Sequence, residues 1–157
     1  MEKLLLFVKH HVPFLWNCVE FFNTMLFSLL HGKKFIIITP KVIDAFSLSP
    51  FTFKGIQQND LVKLEELFMN QSPTRLTYFK PHKFDINSLK KVFKNPSFIM
   101  MGAFLEDKLV GYFFLRCFWN RKCFVGRLID EQFEGKGIGR VMNEIMYNIA
   151  WEAGFRC

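Results

Sequence analysis

Apolar positions recur with two different periods along the chain. Near its end they fall at Ile138, Val141, Met142, Ile145, Met146, Ile149, Ala150 and Ala153. Steps of three and one put all of them on one side of an α-helix. Gly154 follows as a residue suited to close that helix in the left-handed conformation. Upstream, residues 97–105, 109–119 and 123–129 are rich in β-branched and aromatic side chains. The short polar links Glu106-Asp107-Lys108 and Asn120-Arg121-Lys122 join them. That pattern predicts two hairpins in series, an antiparallel meander of strands. Residues 51–56 predict a further strand. Two helices are expected between it and the meander. Asp60 is placed to cap one carrying Leu61, Leu64, Leu67 and Phe68, closed by Pro73. Asp85 or Asn87 starts the other, with Leu89, Val92 and Phe93, stopped by Asn95-Pro96.

The first fifty residues read differently. Residues 14–30 are mostly apolar, but Asn17, Glu20, Thr24 and Ser28 recur on one helical face. The prediction is an amphipathic helix; a Glu inside so short a span argues against a membrane crossing. His10 and His11 precede it, and His31, Lys33 and Lys34 follow it. Such a helix can pack on the main domain or on a second copy, giving a homodimer. It can also lie on an anionic membrane surface, a peripheral contact through residues 1–34. Residues 35–39, Phe-Ile-Ile-Ile-Thr, predict a short strand, and residues 47–50 a loop. The expected organisation is a helical extension, 1–50, followed by a mixed domain, 51–157. The fold class is α+β, with a mostly antiparallel sheet flanked by helices.

Composition narrows the picture. Half of the 157 residues are hydrophobic and 21 are Phe, which excludes a disordered chain. The net charge of +7 favours anionic partners. The cations are scattered in pairs such as Lys90-Lys91 and Arg121-Lys122, without a nucleic-acid-binding motif, so nucleic acid is not expected. Cys18, Cys117, Cys123 and Cys157 form no C-x-x-C pair, and no His stands at zinc-ligand spacing. Reduced thiols, no bound metal and a cytoplasmic location follow as expectations, with the inner membrane face as a peripheral site. The apolar run 4–8 is too short for the core of a signal peptide.

The segment Glu134-Gly135-Lys136-Gly137-Ile138-Gly139-Arg140 carries the candidate chemistry. Three glycines let the backbone turn tightly ahead of a helix, so that successive amides converge. The helix N-terminus adds positive partial charge, and Lys136 and Arg140 add more. The result is a cradle for phosphate or pyrophosphate. A P-loop is excluded, because no G-K-[ST] follows. The dinucleotide fingerprint fails because Arg140 stands where its third glycine belongs, and the preceding strands are hairpin-linked rather than part of a βαβ unit.

With these residues the chain resembles the GNAT family of N-acyltransferases. The family signature is Gln or Arg, two residues, Gly, one residue, then Gly or Ala, and Gly137 and Gly139 match its glycines. Asp130-Glu131-Gln132-Phe133 resembles the approach to the family's loop. Ala150 through Phe155 resembles the helix end leading to its fifth strand. Leu109-Val110-Gly111-Tyr112 resembles its strand 2 to strand 3 turn. The resemblance spans about residues 51–157. It implies acetyl-CoA or another acyl-CoA as co-substrate and an amine acceptor that attacks the thioester directly. It assigns the backbone of Leu128, Ile129 and Asp130 to the acyl and pantetheine groups. Glu134, Gly135, Lys136, Gly137, Ile138, Gly139 and Arg140 take the pyrophosphate.

Two departures stand out. Glu134 occupies the Gln or Arg position, and the family's later strands and fourth helix are missing. A second class of function therefore stays open, a non-catalytic or fragmentary GNAT-like interaction module. No general base is assigned. Asp130 is the nearest acid and reads as a turn residue, Glu65 and Glu66 read as a solvated helix face, Tyr112 as core, and His82 as a loop residue.

Overall fold

The computed structural model describes residues 13–157. The expectations on residues 4–8, His10 and His11 lie outside the described residues. Helix α1 (Pro13–Phe27) runs through a π-helical turn (Ser28–Gly32) into α2 (Lys33–Asp44). Strand β1 (Phe51–Gly55), α3 (Leu61–Met69), α4 (Pro73–Tyr78) and α5 (Ile86–Phe93) follow. Then come β2 (Phe98–Leu105), β3 (Lys108–Cys117), β4 (Cys123–Ile129) and α6 (Ile138–Ala153).

Residues 35–39, expected as a strand, are helical, and Pro40 lies inside the same helix. Burial explains the difference. Phe35, Ile38, Val42 and Ile43 recur at helical spacing and join the core that α6 builds with Met142, Ile145 and Ile149. Packing on that surface outweighs the weak strand preference of a β-branched run. Two helix boundaries also differ. Pro73 does not close α3, which ends at Met69; it opens α4, where its missing N–H costs nothing. The Asp60 carboxylate caps one turn earlier than expected, accepting from the Gln57 amide at 2.9 Å. Of the two candidates for the start of α5, Asp85 is the cap and accepts from the Ser88 amide at 3.0 Å.

The sheet has the order β1-β2-β3-β4, every pair antiparallel. Both faces are covered, which is why β3 is apolar at nearly every position. On one face Met101, Ala103, Phe113 and Leu115 pack against α1, α2 and α6. On the other, Met100, Phe104, Tyr112 and Phe114 meet Leu61, Leu64 and Phe68 of α3 and Leu89 of α5. Phe35 sits between Phe27 and Phe155, with ring centroids 5.3 and 5.0 Å away. This contact locks the first helices to the residues after α6.

Those last residues begin a parallel pairing with β4. Lys122 and Arg156 form a bridge. The Arg156 amide donates to the Arg121 carbonyl at 2.9 Å, and the Cys123 amide donates to the Arg156 carbonyl at 2.9 Å. The bridge sets Cys157 beside Cys123, and the two form a disulfide. The expectation of four reduced thiols is thus corrected: only Cys18 and Cys117 are free. A spacing of 34 residues carries no local signature of the pairing.

Candidate functional site

Strand β4 delivers the chain to the glycine loop through Asp130. The Asp130 amide donates to the Val110 carbonyl at 2.9 Å, while its carboxylate accepts from the Gln132 amide at 3.0 Å. Lys108 lies 3.4 Å from the same carboxylate. Asp130 is therefore the turn residue that starts the 3-10 turn Glu131–Phe133.

Beyond the turn, Gly135 and Gly137 hold φ angles of 72° and 82°. A side chain at either position would cost about 1–2 kcal/mol in that left-handed conformation. The two reversals set the chain at the head of α6. The Arg140 and Val141 amides return to the Gly137 carbonyl at 3.1 and 3.3 Å, and no side chain caps the helix. Among the described residues no protein group accepts from the amides of residues 135–139. These donors lie at the positive end of a sixteen-residue helix.

Three cations lie near the loop. The Lys136 ammonium lies 4.8 Å from the Phe133 ring centroid, and Lys108 lies 4.9 Å from the same ring. Arg127, on β4, was not anticipated from the sequence. A Cβ built on Gly139 would sit 2.1 Å from its Nη1, so the bare glycine lets the guanidinium lie across the first turn of α6. No carboxylate among the described residues pairs with Arg127. The alternation of β4 carried the signal, since residue 127 shares a sheet face with Ile129 and Phe113. Arg140, assigned to the pyrophosphate by resemblance, donates to Glu144 one turn on at 3.0 Å.

Glu134 pairs with neither Lys136 nor Arg140. It accepts from Arg75 of α4 at 2.5 Å. Arg75 also lies 3.7 Å from Glu131, which accepts from the Ser72 hydroxyl at 2.9 Å. Residues 72–75 thus clasp the turn before the loop, and the one acid of the motif is paired with an arginine far from it in sequence. No local pattern links residues 59 positions apart.

The outer edge of β4 is open. Its first rung is taken by Arg156, and from Phe124 to Ile129 no strand pairs with that edge among the described residues. A row of backbone donors and acceptors therefore runs from mid-strand to the glycine loop.

The base candidates separate clearly. Glu66 and Asp130 line one cleft of about 360 Å³, together with Lys63, Asn70 and Lys108. Glu65 is elsewhere: its carboxylate accepts from the Ile86 amide at 2.8 Å, at the head of α5. Tyr112 is fully buried and pairs with Leu128 across the sheet. Burial pushes its hydroxyl pKa well above the ordinary value. His82 Nδ1 is 2.8 Å from the Lys83 carbonyl, which can only accept, so Nδ1 carries the proton. Nε2 then accepts from the Tyr112 hydroxyl at 3.0 Å. Burial lowers the His82 pKa, against a smaller upward effect of the Lys83 hydrogen bond. The pair satisfies itself inside an aromatic cluster with Phe68, Phe84 and Phe98.

No protein-family model matches the chain, and no curated protein sequence matches it. Solved structures do. The GNAT domain of S. lividans PAT superposes with a TM-score of 0.57 at 14% identity, over 66% of this chain and 67% of that one. PaiA N-acetyltransferase from Thermoplasma acidophilum, in complex with coenzyme A, gives 0.55 at 16% identity, over 67% and 74%. An aminoglycoside acetyltransferase, meta-AAC0020, from an uncultured soil metagenomic sample, in complex with sisomicin, gives 0.53 at 21% identity, over 73% and 76%. The chain therefore has the GNAT fold, as the resemblance implied, with α1 and α2 packed against its sheet.

Proposed function

We propose that this protein transfers an acyl group from acyl-CoA to an amine. One observation carries the reading: among the described residues no protein group accepts from the amides of residues 135–139 at the head of α6, and Arg127 beside them pairs with no carboxylate. The fold gives the reading its context, because a relative in fold is seen with coenzyme A bound.

In this reading the pyrophosphate rests on those amides, with Lys136 and Arg127 supplying positive charge. Backbone groups of Leu128, Ile129 and Asp130 hold the pantetheine arm along the open edge of β4, as a strand would be held. Each residue of β4 advances about 3.3 Å, so the reacting thioester lies toward mid-strand. The acceptor amine attacks the thioester carbonyl, a C–N bond forms, the C–S bond breaks, and coenzyme A leaves as its thiol. A backbone N–H on β4 steadies the oxyanion, a contact worth about 2.7–4 kcal/mol in such reactions. Glu66 lies toward the loop end of β4, on the pyrophosphate side, and takes no part in the proton transfer in this reading. It shares a cleft with Asp130, whose own carboxylate is held by Lys108 and Gln132.

Glu134, in place of Gln or Arg, favours a second reading, a GNAT-like module without catalysis. One experiment separates the two. Calorimetric titration with coenzyme A is paired with a thiol-release assay on acetyl-CoA and a panel of amines. Binding with turnover supports the enzyme, and binding without turnover on any amine supports the module. No binding at about 1 mM coenzyme A, beyond the usual range for a co-substrate, removes the enzyme and leaves the module.

A further inference from the structure

Helices α1 and α2 carry an apolar ridge on their solvent side. Polar residues of α1 turn inward. Asn23 is buried; its amide donates to the Cys117 carbonyl at 3.3 Å, and its oxygen accepts from the Trp119 amide at 3.1 Å. Thr24 donates to Asn95 at 3.2 Å, and Glu20 pairs with Arg116. The opposite side is apolar and faces out. Leu29 is 80% exposed and Ile36 75%, with Phe22, Met25 and Ile37 exposed along the same ridge. Large apolar side chains left outside, while polar ones of α1 are tucked in, mean that the ridge is built to meet something other than water.

Charge identifies the partner. No Asp or Glu occurs from residue 21 to 43, or from residue 117 to 129. These two segments meet at the π-helical turn. Leu30, Lys34, Trp119 and Arg121 line one shallow cavity of about 410 Å³, and the His31 ring is 3.0 Å from the Trp119 carbonyl. An apolar ridge edged by Lys33, Lys34, Arg121, Lys122 and a half-exposed Trp119 matches the boundary between acyl chains and anionic headgroups. A symmetric dimer through this ridge fits poorly, because it would bring the same cations together with no acid between them. The run from Cys18 to Asp44, 27 residues, is long and apolar enough to cross a membrane. Its inner side, however, is held in the core through Phe27, Phe35, Ile38 and Val42, so it lies along a surface.

We propose that this ridge docks the protein in the headgroup plane of an anionic lipid bilayer. The proposal is independent of the catalytic reading. The test is flotation of the full chain with vesicles of phosphatidylcholine alone, or with about 30% phosphatidylglycerol added, at low and high salt. Light scattering of the free protein runs alongside. The expected result is a monomer that floats only with the anionic vesicles and is released by salt. Leu29→Glu with Ile36→Glu cuts the bound fraction at least about tenfold. Lys33→Glu with Arg121→Glu, which leaves the ridge intact, also cuts it several-fold. All four side chains are exposed, and circular dichroism checks that the variants keep the fold. Any of four results overturns the proposal. These are no flotation, equal flotation with both vesicle types, retention through high salt and alkaline wash, and a dimer that Leu29→Glu dissociates.

Discussion

The Glu134 carboxylate is clasped by the Arg75 guanidinium at 2.5 Å, from a helix that lies 59 residues earlier in the chain. The pairing resolves the least favourable feature of the motif. A carboxylate beside a pyrophosphate site repels the ligand; one held by an arginine does not. Arg75→Ala is expected to weaken coenzyme A binding by about fivefold, equivalent to ~1 kcal/mol for a solvent-screened charge. Glu134→Gln in that background should recover the loss, because it removes the freed charge. Isothermal titration of the single and double variants decides the matter. Equal affinity of wild type and Arg75→Ala would show that the clasp has no bearing on the ligand.

The left-handed Gly137 and the crossing Arg127 test the cradle in different ways. Gly137→Ala forces a methyl group into a φ of 82° and should cost about 1–2 kcal/mol of stability. In a chain of this size that is a loss of about 2–4 °C in melting temperature per kcal/mol. Coenzyme A binding should fall with it. Arg127→Ala should weaken the same binding while leaving the melting temperature alone, since that side chain is exposed. A large thermal shift from Arg127→Ala would mean that the guanidinium supports the fold instead.

His82 makes stability depend on pH. Its folded-state pKa lies below the ordinary 6.5, chiefly through burial. Above that ordinary value both states are neutral and the full stability is present. As pH falls below it, the unfolded chain takes up the proton first, so stability declines until the lowered folded pKa is passed. Urea midpoints at about pH 7.5 and about pH 5 should therefore differ more for wild type than for His82→Gln. Tyr112→Phe should cost about 1 kcal/mol at neutral pH, because it strips a buried nitrogen of its donor. Parallel pH profiles for wild type and His82→Gln would dismiss this account.

The Cys123–Cys157 disulfide closes a segment of 34 residues that contains the whole glycine loop. Loop-closure entropy sets its stabilisation at up to about 4 kcal/mol. Thiol reductant, or Cys157→Ser, should lower the melting temperature of the oxidised protein. Coincident melts with and without reductant would show that the bridge contributes nothing.

Local pattern made much of this fold legible. The stepping of Ile138 to Ala153 located α6, and the two polar turns located the hairpins that order β2, β3 and β4. The glycine spacing located the loop. What stayed hidden was decided by partners far along the chain. Residues 35–39 have a strand-like composition, and only the surface of α6 makes them helical. Arg75 lies in an unremarked polar stretch, and nothing near it points to Glu134. Nothing near Arg127 in the sequence marks it, and only the bare Gly139 leaves room for it at the head of α6. Cys157 lies far from Cys123 in sequence and beside it in space. Of the acids singled out in advance, the fold employs Glu65 and Asp130 as caps and leaves Glu66 facing the cleft.

Phe35 against Phe155 has an implication for how this protein is made. Helices α1 and α2 leave the ribosome well before the residues around Phe155 that complete their inner surface. Until those emerge, the nascent chain displays hydrophobic side chains on both sides of one long helix, and such surfaces aggregate readily. A chaperone, or early contact with a lipid surface, would shield it during that interval.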